Sequence, residues 1–348
     1  MHIVDLDVTV RHDDPDPDPI RDALQALPGS GGVTVEVTAE DGTTGTGSVG
    51  FGRIQGAPDV VAELIERELQ PLVLDSELAW IRRTHVSLLA ETEYHGASGL
   101  ARFGIGAVDT ALWDCLGRVR DVPCWQLWGG ATERIPAYAM VGWLNFTPAE
   151  VAERCERAIS QGFRGVKLKV GAETLAEDVR RVEAVREVVG PDVDVMVDAN
   201  QSLTVAEAIR RGKRFAELDC AWFEEPIPAD DVHDYATLVD AVSIPIATGE
   251  NLYSRRAFAR FLRQDAVDIV QPDLRRMGGP SAMVPVGRMA TAFNRPYASH
   301  GGGPVQANVM ASLTNARYLE TGFIDDDAPF ELVDGELEVP TGSGLSWG

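Results

Sequence analysis

Only three of the chain's 31 basic residues are lysines, and two of them, Lys167 and Lys169, stand in one apolar stretch, GFRGVKLKV. Two residues apart in a strand, their side chains leave the same face. Arginine carries charge as well as lysine does, but it does not give up its proton in a protein, whereas a desolvated lysine can. A chain that uses arginine nearly everywhere else and lysine here points to proton transfer. The bland alternative is that both ammonium groups neutralise buried acids. That suits Lys167 better than Lys169, because one charge would suffice.

The acids in question are Asp198 in VDAN, Glu224 in FEEP and Glu250 in ATGEN, each 26 residues after the last. Equal spacing means one structural repeat per step, so the three carboxylates should converge. Converging carboxylates repel unless a cation lies between them. With oxygen donors only, and no Cys or His among them, that cation should be hard, Mg²⁺ above all. Taken singly, each is more often a capping or surface acid, and Glu225 is a rival for the inward position of Glu224. A metal and a second ammonium group nearby should lower a lysine pKa and make one lysine a base near neutrality.

His300 in SHGGG and Asp273 in VQPD form a second pair. A carboxylate beside a histidine holds one tautomer and favours the protonated ring. His95, in EYHGASG, is placed to reach the same site from a loop. Lysine on one side, histidine on the other and a metal between them suit removal of the proton α to a carboxylate. The enolate so formed needs the cation and donors such as Lys167 to share its charge. Glu320 would donate to the same oxygen if protonated, or would simply pair with Arg317.

These residues need a scaffold that brings them to one rim. From Ile135 onward the chain alternates strand and helix patterns, with strands at IPAYAMVGW, FRGVKLKV, VDVMVDA, CAWFEEP, IPIATGE, VDIVQPD, RPYASH and RYLETG. That alternation predicts a TIM barrel, in which function gathers at the C-terminal strand ends. The lysine pair ends strand two, and Asp198, Glu224, Glu250, Asp273, His300 and Glu320 end strands three to eight in turn. The earlier part reads as α+β. It has a strand at MHIVDLDVTV, a hairpin turning at AEDGT, and helical patterns over Pro58–Ala90 and Gly99–Val119. DDPDPDPIRDALQALPGSGG reads as a loop with room for a short helix. GTGSVG matches the dinucleotide pattern GxGxxG, but it lies in the hairpin with no helix after it, so no nucleotide site is expected.

Composition narrows the partners. A net charge of -23 and a pI of 4.6 argue against nucleic acid or an anionic membrane. No apolar run approaches membrane-spanning length, and the N-terminus has acids where a signal peptide has bases, so a cytoplasmic protein is expected. Cys115, Cys124, Cys155 and Cys220 form no CxxC pair and read as buried thiols rather than zinc ligands or disulfides. The acidic runs HDDPDPDP and Asp325–Asp327 read as solvated surface.

Taken together, KLK, VDAN, FEEP, ATGEN, QPD and SHGGG, in that order, resemble the enolase superfamily and within it the mandelate racemase group, whose sites pair lysine or histidine bases with Mg²⁺. The resemblance runs from about Gly96 to Gly322. It implies an α+β capping domain over residues 1–120, a modified (β/α)8 TIM barrel over 121–324, and a C-terminal segment, 325–348, returning to the cap. It implies Asp198, Glu224 and Glu250 as Mg²⁺ ligands, Lys169 as a base, Lys167 as electrophilic helper, and His300 held by Asp273 as acid or base opposite. Glu320 matches the group's electrophilic glutamate and Asn200 a substrate contact. Loops around Asp13–Gly32 and Gly50–Gln55 would close over the site. Trp143, in AMVGWLN, gives strand one an apolar ending where sugar-handling relatives often have polar groups, and would border the substrate. The muconate-lactonizing group carries a lysine on strand six; DLRR has none. The function so implied is Mg²⁺-dependent dehydration of an aldonic or aldaric acid to a 2-keto-3-deoxy acid. The alternatives are racemisation or epimerisation of a 2-hydroxy acid, and a non-catalytic carboxylate-binding barrel. A homo-oligomer acting on a small carboxylate is expected.

Overall fold

The computed structural model describes residues 1–325, 328 and 330–347; Asp326 and Asp327 of the acidic run lie outside the described residues. The first strands are β1 (Ile3–Arg11), β2 (Ile20–Arg21), β3 (Ala26–Leu27), β4 (Gly31–Ala39) and β5 (Thr44–Phe51). β1, β4 and β5 form an antiparallel sheet in that order. The loop after β1 forms a hairpin, β2–β3, rather than a short helix. The reason is Asp22, whose Oδ1 accepts hydrogen bonds from the backbone of Leu24 and Gln25, both at 2.8 Å, and so closes a turn that competes with helix.

The helical pattern over Pro58–Ala90 is broken as well. It runs as helix Ala57–Leu64, a wide turn over Ile65–Leu69, helix Gln70–Val73, a tight turn over Leu78–Trp80 and helix Ile81–Gly96. Pro71 has no N–H to continue the ladder, so the helix widens before it and restarts.

The glycines of GTGSVG have a packing reason. Helix Leu100–Arg120 lies directly on β5, and a Cβ at Gly47 would sit 2.0 Å from the carbonyl oxygen of Ala107. One at Gly45 would sit 2.2 Å from the backbone nitrogen of Cys115. The pattern serves a close strand–helix contact.

Eight parallel strands follow: β6 (Arg134–Gly142), β7 (Gly165–Lys169), β8 (Asp194–Asp198), β9 (Cys220–Glu224), β10 (Ile246–Thr248), β11 (Ile269–Val270), β12 (Tyr297–Ala298) and β13 (Ala316–Thr321). Each pairs with the next, and β13 pairs back onto β6 to close the barrel. β14 (Leu332–Val333) and β15 (Glu336–Glu338) follow, with β15 antiparallel to the start of β6. Helix starts around the barrel are written locally. Thr147 with Glu150 and Thr174 with Glu177 form reciprocal capping boxes, and Thr204, Asp231 and Ser254 cap three more helices.

Strand alternation decides what fills the barrel. Val166, Leu168, Val195, Val197 and Phe223 belong to the buried outer core under the helices. Tyr138, Met196, Trp222, Ala247, Ile269 and Ala298 form a separate cluster inside. Gly165 makes room for it, since a Cβ there would lie 3.0 Å from both Met196 and Tyr138. The next inward positions along β7 are Lys167 and Lys169, and every residue of this strand is buried.

The chain end returns to helix Leu100–Arg120. The carbonyl of Gly344 accepts from the Cys124 backbone at 2.8 Å, and the Leu345 backbone donates to Asp114 Oδ1 at 2.8 Å. Among the described residues, no helix is long and apolar enough to cross a membrane. All four cysteines are buried and free.

Candidate active site

The strand ends bring Asp198, Glu224 and Glu250 together, with one oxygen of each within 4.8 Å of the others, all buried. β8 and β9 pair with Asp198 opposite Glu224, so the ladder register sets that convergence. Glu224 faces inward. Its oxygens accept from Lys167 Nζ at 2.8 and 2.9 Å, from Gln271 Nε2 at 2.9 Å and from Trp222 Nε1 at 3.2 Å. The rival, Glu225, stands at φ 34° and turns away, taking the side-chain amide of Asn251 at 2.5 Å.

Lys169 Nζ donates to Asp198 Oδ2 at 2.5 Å, and Lys167 Nζ lies between Glu224 and Glu320. The expected lowering of the lysine pKa values assumed a metal beside them; among the protein's own groups the balance runs the other way. Burial pushes Lys169 down, but Asp198 and the neighbouring glutamates outweigh both burial and Lys167, and its pKa rises; Lys167 rises likewise beside Glu224 and Glu320.

Asp273 and His300 form a bridge that extends the ladder past β11 and β12. His300 Nδ1 lies 2.8 Å from Asp273 Oδ2 and Nε2 lies 2.8 Å from Glu250 Oε2, so the ring stands between two carboxylates. Burial works against its charge, but Glu250 and the bonds to both acids raise its pKa to about 10. Asp273 also receives Arg275 Nη2 at 2.7 Å and the Arg276 backbone at 2.9 Å.

Two further expectations change. Burial would raise Glu320, but Lys167 and then His300 hold its pKa down at about 2, which favours an ionised acceptor over the expected protonated donor. It takes the Tyr138 hydroxyl at 2.5 Å and the Gly301 backbone at 3.1 Å. Arg317, three residues earlier, leaves the opposite face of β13 and reaches toward Asp194 at 3.8 Å. His95 lies on helix Ile81–Gly96, exposed and edge-on to Tyr94, and does not border the cavity over the strand ends.

A cavity of about 680 Å³ lies over the strand ends, bordered on the barrel side by Lys169, Asn200, Glu250, Arg275, Arg276 and His300. Trp143 forms part of its wall, with Lys169 Nζ 5.2 Å from the ring centroid. The opposite wall comes from the N-terminal sheet region, through Asp22, Gln25 and Leu27 and through Gly50–Ile54, the two segments expected to cover the site. Asn200, at φ 44°, donates its backbone N–H to Asp198 Oδ1 at 2.8 Å, and its own side-chain oxygen is buried without a hydrogen-bond partner. Lys167 and Glu320 do not border the cavity; they stand behind the carboxylate trio.

Several residues at this site were not singled out from sequence. Tyr138, Trp222 and Gln271 tie down Glu320 and Glu224, Asn251 donates to Glu225, and Arg275 and Arg276 flank Asp273. Gln271 was within reach of the same alternation rule, being two residues before Asp273 in VQPD. The others depend on cross-strand neighbours that one strand's pattern does not reveal.

The donor set fits a hard divalent cation. Burial together with Asp198 and Glu320 keeps the pKa of Glu224 raised despite Lys167, and Glu225 is raised by burial and then by Glu250. Three carboxylate oxygens within 4.8 Å of one another, with no nitrogen or sulfur donor among them, suit such an ion.

Comparison with known proteins agrees with this geometry. Residues 5–129 match the mandelate racemase / muconate lactonizing enzyme N-terminal domain, and residues 150–347 match the enolase C-terminal domain-like family. An arabinonate dehydratase from Saccharolobus solfataricus is 35% identical over 342 residues, covering 94% of this chain and 91% of that protein. A 3,6-anhydro-alpha-L-galactonate cycloisomerase from Streptomyces coelicolor is 33% identical over 316 residues, covering 90% of this chain and 87% of its own. Among solved structures, a racemase from Streptomyces coelicolor with bound magnesium superposes with a TM-score of 0.92 at 31% identity, covering 99% of this chain and 96% of that one.

Proposed function

The chain belongs to the mandelate racemase and muconate lactonizing enzyme family of the enolase superfamily, which works with Mg²⁺, and on that premise we propose that it dehydrates an acid sugar to a 2-keto-3-deoxy acid. One observation carries the reading. Lys169 and His300 border a single cavity from opposite flanks of the carboxylate trio, one against Asp198 and the other against Glu250. Asp198, Glu224 and Glu250 would hold the Mg²⁺. Bound there, the ion would neutralise those acids, release Lys169 from Asp198 to act as an amine, and share the charge of the developing enolate.

The chain's own residues would do the rest. Lys169 takes the proton from C2, α to the carboxylate. His300, kept protonated between Asp273 and Glu250, gives its Nε2 proton to the C3 hydroxyl, which leaves as water. The resulting enol tautomerises to the 2-keto acid. Lys167 and Glu320 act from behind, with the ammonium group fixing Glu224 and balancing the charge of the rim. Asn200 and Trp143 border the substrate.

The same two proton carriers would also serve racemisation, in which a proton returns to C2 from the other flank. A panel of acid sugars with Mg²⁺ in D₂O, followed by proton NMR, separates the readings. A 2-keto product supports dehydration. Deuterium at C2 with inversion and no loss of water refutes it in favour of racemisation.

A further inference from the structure

The cavity is chemically lopsided, and the imbalance bears on which acid sugar it holds. On its cap side the wall is apolar: Leu27 from β3, Phe51 at the end of β5, Ile54, and Leu100 and Phe103 on the first turn of helix Leu100–Arg120. Phe51 and Phe103 stack at 5.5 Å with their planes 15° apart, which makes a flat hydrocarbon face. Trp143 continues that surface down toward Lys169.

Several polar groups on the same side are engaged with one another, while the exposed Arg53 gives one N–H to Gln25 and keeps the rest of its guanidinium free. Asp22 Oδ1 accepts from the Leu24 and Gln25 backbones at 2.8 Å and its Oδ2 accepts from Gln25 Nε2 at 3.4 Å. Gln25 Oε1 accepts from Arg53 at 3.2 Å. Arg275 spends Nε and Nη2 on Asp273 and Nη1 on the Gly50 carbonyl at 3.4 Å, while its guanidinium lies 5.7 Å from the Phe103 ring. The three buried polar atoms of this lining without a hydrogen-bond partner, Asn200 Oδ1, Glu250 Oε2 and Arg276 Nη1, belong to the trio or to residues beside it. Asn200 donates its N–H to Asp198, and Arg276 lies 3.7 Å from Glu250.

Apart from Arg53, free hydrogen-bonding capacity is therefore concentrated where the carboxylate, C2 and C3 would sit, and it is scarce against the apolar face of Leu27, Phe51, Leu100 and Phe103. A hydroxyl placed against the cap wall loses water and gains no partner, which costs affinity, whereas a methyl group or a ring C–H gains from the same wall. We infer that the preferred substrate is an acid sugar with a hydroxyl-poor far end, a terminal deoxy acid, rather than an extended aldonate or aldarate carrying a polar group on every carbon. This rests on the acid-sugar reading above and narrows it.

Matched pairs of hexonic acids of every C2–C5 configuration, differing only in C6 as CH₃ or CH₂OH, test it, with kcat/KM and C2 deuterium exchange measured for each. The terminal deoxy member of the active pair should be favoured by about 10- to 100-fold, the range by which an apolar pocket discriminates a single group. Leu100→Asn, which puts an amide on the cap wall, should shrink that ratio at least several-fold while C2 exchange with the deoxy acid persists. Equal or better turnover of the CH₂OH member overturns the inference and leaves the dehydratase reading standing. Absence of both exchange and turnover across all pairs overturns the acid-sugar reading and the inference with it.

Discussion

Replacing Asp273 by asparagine keeps the side-chain volume and removes one acceptor from a crowded position. In the native chain this carboxylate receives His300 Nδ1 at 2.8 Å, Arg275 Nη2 at 2.7 Å and the Arg276 backbone at 2.9 Å. An amide has a single oxygen, so histidine and arginines can no longer all be served. His300 then loses the partner that keeps its proton on Nδ1, and with it the arrangement that leaves a second proton on Nε2. General acid–base catalysis is worth roughly 10²- to 10⁴-fold, which corresponds to about 3–5 kcal/mol of activation free energy. Initial rates of 2-keto acid formation should fall by that amount, and deuterium exchange at C2, assigned to Lys169, should fall much less. A D273N enzyme within about threefold of the native rate would refute the idea that this pair positions the acid, since even the low end of that range is larger. A pH signature accompanies the change. Burial opposes ionisation of Asp273, but Arg275, His300 and Arg276 hold its pKa well below the usual carboxylate value. A depressed folded pKa stabilises above the unfolded value, near 4, and that stabilisation fades as pH falls toward the folded value. The gap in melting temperature between native protein and D273N should thus be widest near neutrality and narrow below about pH 4. A gap independent of pH would count against the charge network.

Other perturbations have equally definite outcomes. Lys169→Met should abolish C2 exchange along with turnover, whereas His300→Asn should lose water elimination but keep slow exchange; NMR in D₂O distinguishes them, and the reverse pattern would swap the two roles. Mg²⁺ should raise the melting temperature of the native protein, by the equivalent of about 2.7 kcal/mol at a hundredfold excess over Kd. Asp198→Asn should flatten that titration, and an undiminished response would place the ion elsewhere. Gly47→Ala should destabilise by about 1–3 kcal/mol, because its Cβ would meet the Ala107 carbonyl at 2.0 Å and the Ala111 nitrogen at 2.6 Å. An unchanged melting temperature would show that helix Leu100–Arg120 shifts freely.

The barrel was legible because its signals are local. Strand alternation, turn residues and helix caps such as Thr147 with Glu150 each lie within a few residues, and their regular return along the chain marks the repeat. The chemistry was legible for the same reason, since in a barrel the residue ending each strand is also a rim residue. Errors arose where a side chain had to choose among partners. Glu320 has Arg317 near in sequence but takes Lys167 and Tyr138, which lie far off along the chain and adjacent across the barrel. The hairpin β2–β3 replaced a short helix because one aspartate captured two backbone N–H groups.

Residue types and their periodicity alone settled that eight strands would carry seven rim positions of ionisable chemistry, because a strand's two faces and a repeat's length are properties of consecutive residues. Which of Glu224 and Glu225 points inward, which carboxylate each lysine meets, and that the cap wall carries a hydrocarbon face were decided by packing. Leu100 and Trp143, far apart in the chain, share no local pattern. They line one cavity only once the N-terminal elements lie over the barrel rim, and the pocket's character follows from that.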